Sequence, residues 1–274
     1  EVRSEDWFSG SSAAVAGGVT SVIEMPNSSL PTVSGEALEA KRLVASKKAV
    51  CDYAFFFGAT EDNHEAAAAA QKEPDVAGLK LYLGHSTGHV LTQNFGAVYR
   101  HFEAATKPLA LHAEDAACLD YFRHSAEPSI ENHIRLRDPL CAELSVSRAL
   151  AIAERTHARV HFCHVSTAAE LALIFDAKRR KLDVSCEVSP HHLFLDESVA
   201  KTLGNRAKVN PPLRSKRDVA AVWDAVSKGI IDCIATDHAP HLKEEKEKPY
   251  AEAPSGMPGL DTALPLLLDA VNRK

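Results

Sequence analysis

A chain of 274 residues, 45% hydrophobic and 25% charged, has the make-up of an ordinary globule long enough for one large α/β domain. Its 31 Lys and Arg against 37 Asp and Glu leave a net charge of −6, which argues against a nucleic-acid partner. No apolar run approaches the ~20 residues of a membrane span, so no membrane role is expected, and the acidic opening Glu1-Val2-Arg3-Ser4-Glu5-Asp6 does not look like a signal peptide, so a cytoplasmic location is expected.

Taken in chain order, the pattern predicts a helix over 5–16, a strand over 18–24 and a helix over 36–48. Strands over 51–59 and 77–83 flank a helix over 64–72, and a helix over 94–105 leads to a strand over 108–114. A long helix over 139–157 precedes a strand over 159–165, and a helix over 167–180 precedes a strand over 183–188. A helix over 216–227, a strand over 230–237 and a helix over 260–272 complete the series. The charge run at 243–248 reads as a solvated loop. No Pro/Gly/Ser-rich linker divides the chain, so residues 1–274 are expected to form a single domain.

Strands alternating with helices over this length predict an α/β fold with a parallel sheet. Seven strands, preceded by a helix, fit a (β/α)8 TIM-type barrel whose first strand lies upstream of residue 1. The expectation is therefore an excerpt of a longer barrel protein. The six cysteines contain no Cys-x-x-Cys pair, and Cys51, Cys163, Cys186 and Cys233 lie in strand-like runs. They read as buried free thiols in a reducing compartment.

Catalytic side chains of such barrels sit at the C-terminal ends of strands. Those ends carry Lys80, His112, His164 and Asp237, a metal-site inventory. Alternation puts Leu79, Leu81 and Leu83 on one face and Lys80 with Tyr82 on the other, so Lys80 points into the barrel. A buried ammonium would repel cations, whereas carbamylation by carbon dioxide turns it into an anionic, two-oxygen ligand. Among the 14 histidines, His161 reads as a hydrogen-bonded core residue, His191 and His238 as packing, and His192 as reaching the mouth. His85, His89, His124 and His133 read as solvent-exposed.

The segments GLKLYL, LHAED, HFCHVST, SPHHL, VNPPLR, ATDHAPH and PSGMPGLDTALPLLL, in this order, resemble dihydroorotases of the amidohydrolase superfamily. The resemblance covers nearly the whole chain. It implies a zinc-dependent cyclic amidohydrolase that interconverts N-carbamoyl-L-aspartate and L-dihydroorotate in pyrimidine biosynthesis. By motif, Lys80 matches the carbamylated lysine bridging two zinc ions, His112 and His164 the ligands of the second zinc, and Asp237 the ligand of the first zinc and proton shuttle. Asn27, Asn210 and His241 match substrate contacts, with His241 reading the carboxylate, and Ser255 and Gly256 fall in the loop closing over the ring.

The family's His-x-His pair, and the arginine that usually follows it, have no counterpart in this sequence. The expectation is that the second zinc site fills more readily than the first and that this segment alone has little activity. Family barrels often dimerise, and aspartate transcarbamoylase is a partner that the resemblance brings into view. Two rival readings stand beside this one. One is a hydantoinase, dihydropyrimidinase or allantoinase on the same metal core. The other is a non-catalytic scaffold.

Overall fold

The computed structural model describes residues 4–85 and 90–273. Its centre is a seven-stranded sheet of β1 (Ser21–Glu24), β2 (Asp52–Gly58), β3 (Val76–Tyr82), β4 (Leu109–His112), β5 (Val160–Phe162), β6 (Val184–Val188) and β7 (Cys233–Ile234). The strands pair in sequence order and every pairing is parallel. The first helices are α1 (Trp7–Ala16), α2 (Gly35–Lys48), α3 (His64–Ala70) and α4 (Phe95–Glu103). Between β4 and β5 lie α5 (Ala116–Phe122), α6 (His133–Leu136) and α7 (Pro139–Thr156), and α8 (Ala168–Arg179) joins β5 to β6. The short α9 (Pro190–Phe194) and α10 (Ala200–Leu203) precede α11 (Lys216–Ser227), while α12 (Lys243–Lys246) and α13 (Ala263–Arg273) follow β7. This is the TIM-type α/β architecture the alternation predicts. Among the described residues no helix is long and apolar enough to cross a membrane.

Parallel strands covered on both faces need apolar residues on the helix side and tolerate function on the other. Leu79 and Leu81 of β3 join Phe55, Phe57, Leu109, Leu111, Phe162 and Val188 in one buried core. The opposite face of β3 carries Lys80 and Tyr82 in register with Ala110 and His112. Short polar residues set the helix starts. Asp6 and Thr167 form capping boxes with Ser9 and Glu170, and Asp138 caps α7 ahead of Pro139.

The outer strands come out shorter than the runs at 18–24 and 230–237. Gly18 sits at φ +82, outside the extended region, and β7 keeps only two residues paired with β6. Cys233 is consequently exposed, which corrects its reading as a buried thiol, and Cys51 and Cys118 are half-buried. The charge run at 243–248 is not simply a solvated loop either, because it forms α12 and buries Lys246.

Gly84, just beyond β3, packs on the backbone of Glu114, where an added Cβ would lie 2.0 Å from the Glu114 carbonyl oxygen. Backbone cannot swing aside as a side chain can. Gly84→Ala is expected to destabilise the chain by about 1–3 kcal/mol, as overpacking does, read as a lowered urea midpoint.

Candidate active site

Of the side chains singled out at the strand ends, Lys80, His112 and His164 are buried. Lys80 is 2% exposed and donates to the Cys163 sulfur at 2.9 Å. His112 closes β4, and its Nδ1 faces His164 Nε2 at 3.1 Å. The other nitrogen, His112 Nε2, lies 3.1 Å from Glu114 Oε2. Glu114 is fully buried, paired with Arg137, and 3.8 Å from a guanidinium nitrogen of Arg214. His164 Nδ1 is buried with no hydrogen-bond partner.

His164 and Asp237 lie past the ends of β5 and β7, at φ +38 and +46. Left-handed backbone is costly for a non-glycine residue and recurs where a side chain must be aimed at a site. Although the Asp237 side chain is 32% exposed, desolvation pushes its carboxyl up to about 7 against the opposing pull of Lys80. His191 Nε2 stands 3.7 Å from Asp237 Oδ2, so this histidine borders the acid as well as packing. Burial holds His112 below and His164 well below the usual histidine range. Both are therefore neutral imidazoles, the form that binds metal. Two neutral imidazoles turned toward each other, one backed by a buried carboxylate, suit a zinc ion, and the neutral orphan nitrogen of His164 adds no charge to oppose it.

A neighbouring cluster escapes the sequence reading. His161, Cys163 and Glu187 bring one nitrogen, one sulfur and one carboxylate oxygen within 4.8 Å of one another, a set that can hold a metal ion. His161 Nε2 lies 2.9 Å from Glu187 Oε2 and Nδ1 lies 2.8 Å from Ser185 Oγ. Histidine 161 is thus hydrogen-bonded, as expected, but half-buried on the face that also holds Cys163. Burial pushes the Cys163 thiol up to about 12. The available signal is alternation, since positions 161 and 163 share a face on one strand, as do 185 and 187 on the next.

Of the proposed substrate contacts, His241, Ser255 and Gly256 lie together. Asn27 is half-buried in the turn after β1. Asn210 Oδ1 is buried without a hydrogen-bond partner, an acceptor left open. His241 Nε2 donates to the Ser255 carbonyl at 3.1 Å. Gly256 sits at φ +137, and a Cβ there would meet Ala239 O at 2.7 Å and His241 Nε2 at 3.0 Å, so only glycine fits.

Lys246, 7% exposed, ties these segments together. Its ammonium donates to the carbonyls of Lys208, Pro254 and Gly256, each at 2.9 Å. The Gly256 N–H also donates to Lys208 O at 2.9 Å, and Lys208 Nζ reaches the carbonyls of Tyr250 and Ala253.

His133 corrects its expected exposure. It is buried, with Nδ1 2.7 Å from the Tyr250 hydroxyl and Nε2 2.9 Å from Val209 O. Val209 O can only accept, so Nε2 carries the proton and the tyrosine donates to Nδ1. Burial drives the His133 pKa down to about 3. The unfolded chain, with an ordinary histidine pKa of ~6.5, binds the proton that the folded chain refuses. Stability from this group is complete above pH ~6.5 and falls as pH drops toward 3. His133→Gln should flatten the stability profile in that window, and an unchanged slope in acid unfolding curves would count against this assignment.

His192, expected at the mouth, is sealed between Ser189 Oγ and the Pro211 carbonyl. His238 holds Glu5 at 2.8 Å through Nε2 and accepts from the Gly259 N–H through Nδ1. His85 and His124 are exposed as expected, and His89 lies outside the described residues.

No protein-family model matches the chain. It is 36% identical over 99% of its length to a dihydroorotase of Methanosphaera stadtmanae, of which it covers 62%. It is also 36% identical, over 98% of its length, to a stretch forming 11% of the multifunctional protein CAD of Squalus acanthias. In structure it matches an L-hydantoinase (dihydropyrimidinase) of Arthrobacter aurescens with a TM-score of 0.92 at 26% identity, covering 99% of this chain and 62% of that one. The chain therefore spans less than two thirds of the dihydroorotase and the hydantoinase it matches.

Proposed function

We propose that this chain, which by sequence is a homologue of the dihydroorotases, carries the core of a zinc-dependent amidohydrolase that opens the ring of L-dihydroorotate to N-carbamoyl-L-aspartate and closes it again. The observation that carries the reading is the facing pair of neutral imidazoles, His112 Nδ1 and His164 Nε2 at 3.1 Å, in the same buried pocket as Lys80.

His112 and His164 would hold one zinc. Lys80, as a carbamate formed from carbon dioxide, would bridge it to a second zinc shared with Asp237. Bound zinc supplies Lewis acidity to the ring carbonyl and lowers the pKa of water. Asp237 accepts the proton of the attacking water and returns it to the ring nitrogen as the amide C–N bond breaks. Asn27, Asn210 and His241 orient the substrate, His241 at its carboxylate, beneath the loop of Ser255 and Gly256. Glu114 keeps the His112 ring turned toward His164. His161, Cys163 and Glu187 offer a further cation position beside Lys80.

The likeness to a hydantoinase structure favours a second reading, a hydantoin or dihydropyrimidine ring as substrate. Metal analysis with a panel of dihydroorotate, hydantoin, dihydrouracil and allantoin separates the two. With the family's His-x-His pair supplied, turnover of dihydroorotate alone is expected, with Lys80 heavier by the mass of carbon dioxide; the chain by itself should show little. Turnover of uncharged rings only would favour the second reading. Bound metal with no turnover of any ring would leave a scaffold role. Likeness to part of a multifunctional protein supports association with aspartate transcarbamoylase, and co-sedimentation with that enzyme would test it, as it would a homodimer.

A further inference from the structure

Two thiols outside the candidate active site lie against each other. Cys118 Sγ and Cys141 Sγ are 2.7 Å apart, nearer than non-bonded sulfurs rest in contact, and both are free. They sit on α5 and α7, whose first turns are already joined: the Asp115 N–H donates to Cys141 O at 2.8 Å, and Asp115 Oδ1 accepts from the Cys118 N–H at 3.0 Å. Little backbone movement is needed to bring the sulfurs to bonding distance. Cys118 is half-buried and within reach of small reagents, whereas Cys141 is buried.

We propose that Cys118 and Cys141 form a reversible disulfide, a modification site whose co-reactant is a low-molecular-weight disulfide such as oxidised glutathione. The accessible Cys118 thiolate attacks one sulfur of the small disulfide and expels one thiol, leaving a mixed disulfide. Cys141 then attacks the Cys118 sulfur and expels the second thiol. The two cysteines are oxidised by two electrons, the small disulfide is reduced to two thiols, and the two cysteine protons end on those thiols. Burial raises both thiols above the ordinary range, which makes the exchange slow. The bridge would staple the loop after His112 to the start of α7 and enclose the segment containing Arg137, the partner of Glu114.

The test is to equilibrate the intact chain with a series of reduced-to-oxidised glutathione ratios, alkylate the remaining thiols after unfolding, and map the peptides. The expected product is a peptide linked through Cys118 and Cys141, lighter by two hydrogens, with the other four of the six cysteines alkylated. Dithiothreitol should return all six to the alkylated pool. Cys141→Ala, checked for folding by circular dichroism, should halt at the Cys118 mixed disulfide. Recovery of both cysteines alkylated at the most oxidising ratio would overturn the proposal. So would a mixed disulfide on Cys118 that accumulates equally with and without Cys141.

Discussion

Measured with the family's His-x-His pair supplied, Asp237→Asn is expected to lower turnover of dihydroorotate by about 10²–10⁴-fold, the range associated with loss of a positioned acid–base group. Asparagine keeps the size and most of the hydrogen bonding of aspartate but cannot take up the proton of the attacking water. The loss should fall on kcat, with KM little changed, because the group acts on the reacting atoms and not on the carboxylate end of the substrate. Lys80→Ala should go further and abolish both turnover and retention of metal, since it removes the only lysine on the inner face of β3. Parallel steady-state kinetics and metal analysis check both substitutions. Full turnover in either would refute its assignment.

The second large effect concerns stability. Glu114 is fully buried with Arg137 and Arg214 beside it and His112 at 3.1 Å. Burial alone would raise its pKa, yet Arg137 and His112 hold the carboxyl well below the usual carboxylate range. Glu114→Gln leaves the almost completely buried guanidinium of Arg214 without that counter-charge. Breaking one side of such a pair costs about 3–5 kcal/mol, read as a lower urea midpoint. Because the folded pKa is depressed, the contribution is complete above the unfolded value of ~4.3 and is lost as pH falls through the folded pKa. The difference between the two proteins should therefore be widest near neutral pH and narrow in acid. Metal affinity should drop about 10–100-fold as well, the usual result when the group that orients a ligating histidine is removed. Equal midpoints at pH 7 would refute the network.

Strands buried on both faces announce themselves as apolar runs, which is why β2 and β3 fall within a residue of their expected spans. The outermost strands, and β5 in the interior, which keeps only Val160–Phe162 of the run at 159–165, stop short of their apolar runs because pairing, not hydrophobicity, decides where a strand ends. Lys80 was legible from alternation, since a lone charge among leucines on a covered strand has only one place to point. His133 and Lys246 were not legible. Each is a polar residue in a polar stretch, buried by loops from distant parts of the chain, and no local period marks it. The cluster of His161, Cys163 and Glu187 needs the register of β5 against β6 before its members meet, and each residue alone has an ordinary structural explanation.

The single ammonium of Lys246 satisfies three carbonyls from two separate stretches of chain, and its own helix follows directly on His241. Such a hub links the thermal motions of those stretches. The 208–210, 241–246 and 253–256 segments should open to solvent as one cooperative unit, with a shared protection against hydrogen exchange, instead of fraying one by one. A ligand that settles on any one of them would then find the others already ordered, so little configurational freedom is left to lose on binding. Acetylation of this one amine would remove three of the links and leave those from the Gly256 N–H, Lys208 Nζ and His241, so the unit would loosen without a change to any of the proposed substrate contacts.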